Sequence, residues 1–237
     1  MLSQVTHWVE IAGTAVDGLL LIRVLMLRLQ RVYVFITLAC ALSLLFDIVT
    51  VWLGTGSQAS FRVFVYSRFL YVFVYPLTAA DVFEEVKDRT SKLRRLALTK
   101  LISGLFFAAL FGFVLSLFIQ GEANGEPVVT TTLALVLWAG SSSATLAFLW
   151  TLHRGMKLQN IDRPNNTSVW LGFWALTLIA EVLSCFYELL VPFVKAGATD
   201  VANLLFLTYG IAITGWCIVR LRAVPSGVPS ESAIPGG

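Results

Sequence analysis

The sequence predicts an all-α fold: a polytopic membrane protein built as a seven-transmembrane-helix bundle. Three observations carry this. The chain is 57% hydrophobic and only 13% charged over 237 residues, with a mean hydropathy of +0.81. Seven apolar segments run approximately from Val5 to Leu27, Val32 to Leu53, Phe61 to Asp81, Leu101 to Ile119, Val128 to Leu152, Val169 to Val191 and Val201 to Val219. Nearly all the lysine and arginine falls in alternate gaps between them. Each segment is long enough to cross a hydrocarbon core of ~30 Å at ~1.5 Å per residue. The α-helix is the spanning form that fits, because it satisfies its own backbone where water is absent.

The first segment follows MLSQVTHWVE, which has no basic n-region, and it is too long for a signal-peptide core; it reads as a retained helix 1. Arg28 and Arg31 follow helix 1, and Lys87, Arg89, Lys92, Arg94, Arg95 and Lys100 follow helix 3. Arg154, Lys157 and Arg163 follow helix 5, and Arg220 and Arg222 follow helix 7. The opposite side carries Arg62 and Lys195 alone, so the balance is thirteen to two. That asymmetry over short loops places the amino terminus outside and the carboxyl terminus in the cytoplasm. The net charge of +3 reports topology; no basic groove marks a nucleic-acid partner. A plasma membrane or a bacterial inner membrane fits this multi-pass pattern.

The outer loops at 54–60 and 121–127 are short, polar and Gly-rich, and form no ectodomain. Between helices 3 and 4, Glu85 with Arg89 and Asp88 with Lys92 are opposite-charge i,i+4 pairs. Helix 3 is therefore expected to project into the cytoplasm and break near Thr90-Ser91. The connection from His153 to Ser168 holds Pro164 and Asn165 and reads as a loop. Residues 1–222 make the transmembrane domain; 223–237, AVPSGVPSESAIPGG, is a tail unable to bury itself without a partner. Cys40, Cys185 and Cys217 fall inside spans, odd in number and without metal-site spacing, so they read as buried thiols. Asn165-Asn166-Thr167 is a glycosylation sequon on the cytoplasmic side, where it is inert.

Helix 2 (ALSLLFDIV from Ala41) matches helix 6 (ALTLIAEVL from Ala175) at an offset of 134 residues, setting Asp47 on Glu181 and Tyr75 on Tyr209. The offset suggests a repeat of three helices, a linker helix and three more. Helix 4, the linker, carries Gly104, Ala108, Gly112 and Ser116 at every fourth position. Such a small-residue face packs inside a bundle or against a partner protein. Phe106, Phe107, Phe111, Phe113 and Phe118 fill its other faces, towards lipid.

Ionisable residues within spans are the most informative chemistry. Helix 1 carries Glu10, Thr14 and Asp17 on one face; helix 2 Ser43, Asp47 and Thr50; helix 3 Arg68, Tyr71 and Tyr75; helix 6 Glu181, Ser184, Cys185 and Glu188. A charge at mid-span costs at least ~2.5–3.5 kcal/mol on insertion scales, so these groups are expected to face the interior and find partners. Arg68 cannot shed its proton, and Asp47, on the adjacent helix at matching depth, is its first expected partner, with another outer-half carboxylate as the alternative. Asp17 and Glu181 then lack a cation. One reading is a pocket opening outward, lined by Glu10, Asp17, Asp47, Arg68, Tyr71, Tyr75, Glu181, Glu188 and Tyr209, that receives a small polar ligand, a proton or a cation. The other is interhelical glue. Gly140-Ser141-Ser142-Ser143-Ala144 in helix 5 reads as a pore lining or a close-packing surface.

Arg23 is expected to snorkel to headgroups. Lys92, Arg94, Arg95 and Lys100 are candidates for anionic lipid headgroups, worth about 1 kcal/mol per charge. Trp8, Trp52, Trp150, Trp170 and Trp216 sit near span ends, as interface belts do.

Seven helices with an outer amino terminus resemble rhodopsins and eukaryotic receptors, but helix 7, VANLLFLTYGIAITGWCIVR, has no lysine to hold retinal. A three-plus-one-plus-three plan resembles PQ-loop and SWEET transporters, yet the chain has no Pro-Gln pair, and Pro76 alone lies well inside a span. His7 and His153 lie on opposite sides, which excludes a haem held between them. No cofactor and no catalytic set are expected. The expected function is a non-enzymatic sensor, receptor-like module or subunit of a membrane complex. Its partners are the lipid bilayer and a protein, met at the cytoplasmic face or through helix 4. The alternative is a small-solute or proton-coupled transporter.

Overall fold

A computed structural model describes residues 2–54, 57–119, 122–123, 126–190 and 196–224. Lys195 and residues 225–237 of the tail lie outside the described residues. Among the described residues, seven α-helices account for most of the chain: α1 Leu2–Met26, α2 Val34–Leu53, α3 Gln58–Val82, α4 Ser91–Ser116, α5 Val128–Leu158, α6 Asn165–Leu190 and α7 Ala196–Arg220. A minimal antiparallel pair, β1 Glu122–Ala123 and β2 Glu126–Pro127, leads into α5. Six helices, α2 to α7, are long and apolar enough to cross a membrane; α1 has 25 residues and carries Glu10, Asp17 and Arg23.

Six helices form a closed ring in the order α1, α2, α3, α5, α6, α7, with α7 returning to α1. α4 packs on the outside of α5, where small residues on both helices let the backbones approach. A Cβ added at Gly104 would stand 2.7 Å from the Ala144 Cβ, and one at Gly140 would collide with Ala108. The small-residue face of α4 is thus covered by α5, as packing inside the bundle required. Phe106, Phe107, Phe111, Phe113 and Phe118 are exposed on the remaining faces.

Local chemistry explains the helix ends. Ser57 caps α3, its hydroxyl accepting from the Ser60 N–H at 3.1 Å. The residue before α2 offers no side-chain cap; the Asp81 carboxylate at the end of α3 accepts from the Phe35 and Ile36 N–H groups instead. α7 ends against three side chains: Asn165 and Asn166 donate to the Arg220 and Arg222 carbonyls at 3.0 and 2.8 Å, and Arg23 to the Leu221 carbonyl at 3.1 Å. Asn166 also accepts from the Arg222 N–H at 3.0 Å. Arg23 therefore closes a neighbouring helix rather than snorkelling outward. The sequon asparagine is engaged in the same closure.

Pro76 lies inside α3 and lacks the N–H that would bond the Val72 carbonyl four residues earlier. Ser141 of α5 supplies the missing donor, its hydroxyl lying 2.8 Å from that carbonyl. In an apolar surround a freed carbonyl needs such a partner, so this one bond ties α3 to α5 at the proline.

Three expectations change. Helix 3 stops at Val82, where single 3-10 turns at Glu84–Val86 and Asp88–Thr90 lead into α4 at Ser91. Phe83 and Val86 turn inward and are buried, which draws the chain beneath the bundle instead of outward. Glu85 and Glu84 accordingly meet Tyr33 and Arg94, not the expected i,i+4 scheme. The loop expected from His153 is shorter: α5 continues to Leu158, then Asn160 at φ 50° and a bond from Ile161 N to Met156 O close it. Trp170 is fully buried against Tyr33, whereas Trp8, Trp52, Trp150 and Trp216 are exposed near helix ends. Several of the largest fully buried side chains, Tyr33, Phe83, Phe148, Leu152, Met156 and Trp170, cluster at the basic end.

Candidate functional site

All six ring helices contribute to one interior polar cluster. Arg68 of α3 crosses towards α6, with Nη1 3.6 Å from Glu181 Oε2. Its guanidinium lies over the rings of Trp138 (3.7 Å to the centroid) and Phe64 (4.4 Å). Cation–π contacts of this kind contribute about 0.5–2 kcal/mol. Tyr75, further along α3 on the same face, donates from its hydroxyl to the other Glu181 oxygen at 2.9 Å. Tyr75 stacks on Tyr71 with ring centroids 5.2 Å apart, and Tyr71 meets Phe46 of α2 at 5.9 Å.

The second half of the cluster joins α1, α2 and α7. Ser43 donates to Asp17 at 3.3 Å, and the Asp17 carboxyl lies within hydrogen-bonding reach of Asp47 and Thr214. Ser43 also reaches the Tyr71 hydroxyl, so it links the two halves.

Arg68 is thus partnered by Glu181, not by Asp47 as expected. The reason is directional. Trp138 and Phe64, their rings at 88° to each other, bracket the guanidinium from two sides, and its Nη1 reaches across the ring to α6. Asp47 turns to Asp17, with the Arg68 charge still within electrostatic reach. The two acids of this cluster that meet each other rather than a cation are Asp17 and Asp47, where the depth comparison points to Asp17 and Glu181.

The other candidate residues lie at or beyond the edge. Glu188 sits two turns beyond Glu181 along α6 and feels the Arg68 charge. Glu10 lies near the start of α1, with His7 Nδ1 at 3.9 Å. Tyr209 is outside the cluster, exposed and donating to the Leu176 carbonyl at 3.4 Å. The offset that paired it with the buried Tyr75 does not give the two tyrosines equivalent surroundings. An apolar groove of about 460 Å³ lies between the first half of α1 and the end of α2, lined by Ile11, Thr14, Ala15, Ile48, Val51 and Trp52; it does not coincide with the cluster. Of the candidate headgroup residues, Lys92, Arg95 and Lys100 stand towards solvent, while Arg94 is half-buried and paired with Glu84 at 3.7 Å.

At the basic end, Tyr33 precedes α2 and donates to Glu85 at 2.6 Å. Its burial, reinforced by the Glu85 carboxylate beside it, holds the phenol well above its ordinary titration range.

Sequence reasoning missed Trp138, Phe64 and Thr214. Nothing in an apolar stretch distinguishes the aromatic that a guanidinium will cover. Ser141 was findable: Pro76 announces a carbonyl in need of a donor. Compared with known protein families, curated proteins and solved structures, the chain matches none.

Proposed function

We propose that the chain is a seven-helix membrane protein, amino terminus outside, acting as a non-enzymatic sensor or as the sensing subunit of a membrane complex. The interior polar cluster is its responding element. The observation that carries this reading is the Arg68–Glu181–Tyr75 arrangement, in which one carboxylate of α6 holds two side chains of α3. Any change of charge or ligand at Glu181 alters how α3 meets α6. α3 in turn ends in Asp81, which caps α2 at the basic end. A shift of α3 is therefore transmitted to the side bearing most of the lysines and arginines, where a protein partner would read it.

A second reading, a small-solute or proton-coupled transporter, is favoured by the placement of α4 outside a six-helix ring. That is the arrangement a three-plus-one-plus-three repeat would give, although a ring in simple chain order gives it too. Uptake and flux in liposomes separate the two: the sensor reading expects none, and flux lost on neutralising Asp17 or Glu181 would establish the transporter. Orientation has its own test. A cysteine in the 121–127 loop is expected to react with an impermeant reagent from outside, and one in the 86–95 stretch is not.

A further inference from the structure

The interior between α3, α5 and α6 holds polar groups that no atom of the described residues partners. Among them are Ser142 Oγ and Thr145 Oγ1 of α5, and the indole Nε1 of Trp170 and Trp174 of α6. These residues are 0, 1, 0 and 6% exposed respectively. They do not face α4. Ser142 and Thr145 share a helical face with Trp138 and Leu149, away from the Gly140 and Ala144 that meet α4. On one flank of that face Ser141 bonds α3, and on the other the Leu135 carbonyl accepts from Cys185 of α6. The face therefore looks between α3 and α6.

The two indoles extend this seam lengthwise. Trp174 meets Tyr75 at 6.0 Å between ring centroids, and Trp170 meets Tyr33 at 6.1 Å. Tyr75 is bonded to Glu181, and Tyr33 to Glu85 at the basic end. The four unpartnered groups thus lie between two acids, each already held by a tyrosine. Unpaired polar groups in apolar surroundings are costly, and several in succession make the kind of site that buried water occupies with two to four hydrogen bonds each.

We propose that this seam binds a file of water molecules that carries protons between Glu85 and Glu181, so that a proton from the basic side is the stimulus the cluster senses. The proposal rests on the sensor reading and names its ligand. At each water one O–H bond breaks as another forms; the net result is that a proton entering from solution on the basic side, beside Glu85, is gained by the Glu181 carboxylate, with no redox change. Around Glu181 stand Arg68, Tyr71, Tyr75, Cys185 and Glu188. Around Glu85 and Tyr33 stand Asp81 and Thr167, with Glu84, Lys87 and Arg94 on the adjoining turns. Protonating Glu181 weakens its hold on Arg68, which is the structural change the proton produces.

Deuterium exchange of the indole N–H groups in bilayer-reconstituted protein tests this, with signals assigned through Trp170→Phe and Trp174→Phe. Both indoles are expected to exchange ahead of the backbone amides of α5 and α6 around them. Ser142→Ala with Thr145→Val is expected to abolish that fast phase and leave the exposed Trp216 indole unchanged. Indoles that exchange no faster than the surrounding amides overturn the proposal, and this result comes from the unmodified protein even if the double variant fails to fold. A dry seam leaves the sensor reading standing, whereas flux through liposomes overturns that reading and not the water file.

Discussion

Removing Arg68 tests whether the cluster is organised as described. Opposite unit charges 3.6 Å apart attract by about 4–5 kcal/mol at an effective dielectric of about 20. The two side chains keep 18 and 22% of their surface, and one contact joins them, so the attraction is partly screened. A coupling of about 2–3 kcal/mol remains, below the 3–5 kcal/mol lost when a fully buried pair is broken. A double-mutant cycle with Arg68→Met and Glu181→Gln isolates it. The amide introduced by Glu181→Gln keeps an acceptor for Tyr75, and the cation–π contacts with Trp138 and Phe64 are lost in both Arg68→Met backgrounds and cancel. Equilibrium unfolding in mixed micelles supplies the four stabilities. A parallel cycle with Asp47→Asn is expected to show weaker coupling. A Glu181 coupling within about 0.5 kcal/mol of zero, or a larger one to Asp47, would refute the pairing.

Ser141→Ala leaves the Val72 carbonyl without a donor and is expected to lower stability by about 1–3 kcal/mol in the same assay. Adding Pro76→Ala should recover much of that loss, since residue 76 then donates itself; no recovery would mean that Ser141 acts some other way. Gly104→Leu, which drives a side chain into Ala144, is expected to detach α4 from α5, read as a lost cross-link between cysteines placed along that seam. Tyr33 contributes stability that is fully present below the ordinary phenol range near pH 10 and is lost as pH rises above it, because the fold favours the protonated form. Tyr33→Phe should therefore be less stable at neutral pH and flatten the alkaline limb of the stability profile; an unchanged limb would contradict the assignment.

The helices were legible because lipid-compatible segments need both length and apolarity, and few other structures have either. α1 was the hardest to place by composition, since Glu10, Asp17 and Arg23 dilute it, yet the structure keeps it helical over 25 residues. Helical spacing also gathered Asp17, Asp47, Arg68, Tyr71, Tyr75 and Glu181 into one interior. It could not choose partners. Which carboxylate meets Arg68 depends on the rotation of each helix and on aromatic rings that steer a guanidinium, and neither leaves a mark in spacing. Arg23 and Trp170 failed for a related reason. Both are typical of membrane interfaces, but here each found a better partner at the basic end: the Leu221 carbonyl and the Tyr33 ring. The repeat alignment misjudged Tyr209 because apolar helices match one another without sharing surroundings.

The central claim is that a change at Glu181 is read at the basic end. Spin labels on exposed Arg89 and Gln159, at the ends of the α3–α4 connection and of α5, report that directly in bilayers. The account predicts that stepping the pH on the basic side shifts the distance distribution between them, and that Glu181→Gln freezes it in one state. A distribution that never changes with pH in the unmodified protein, or that shifts as fully in Glu181→Gln, would contradict it.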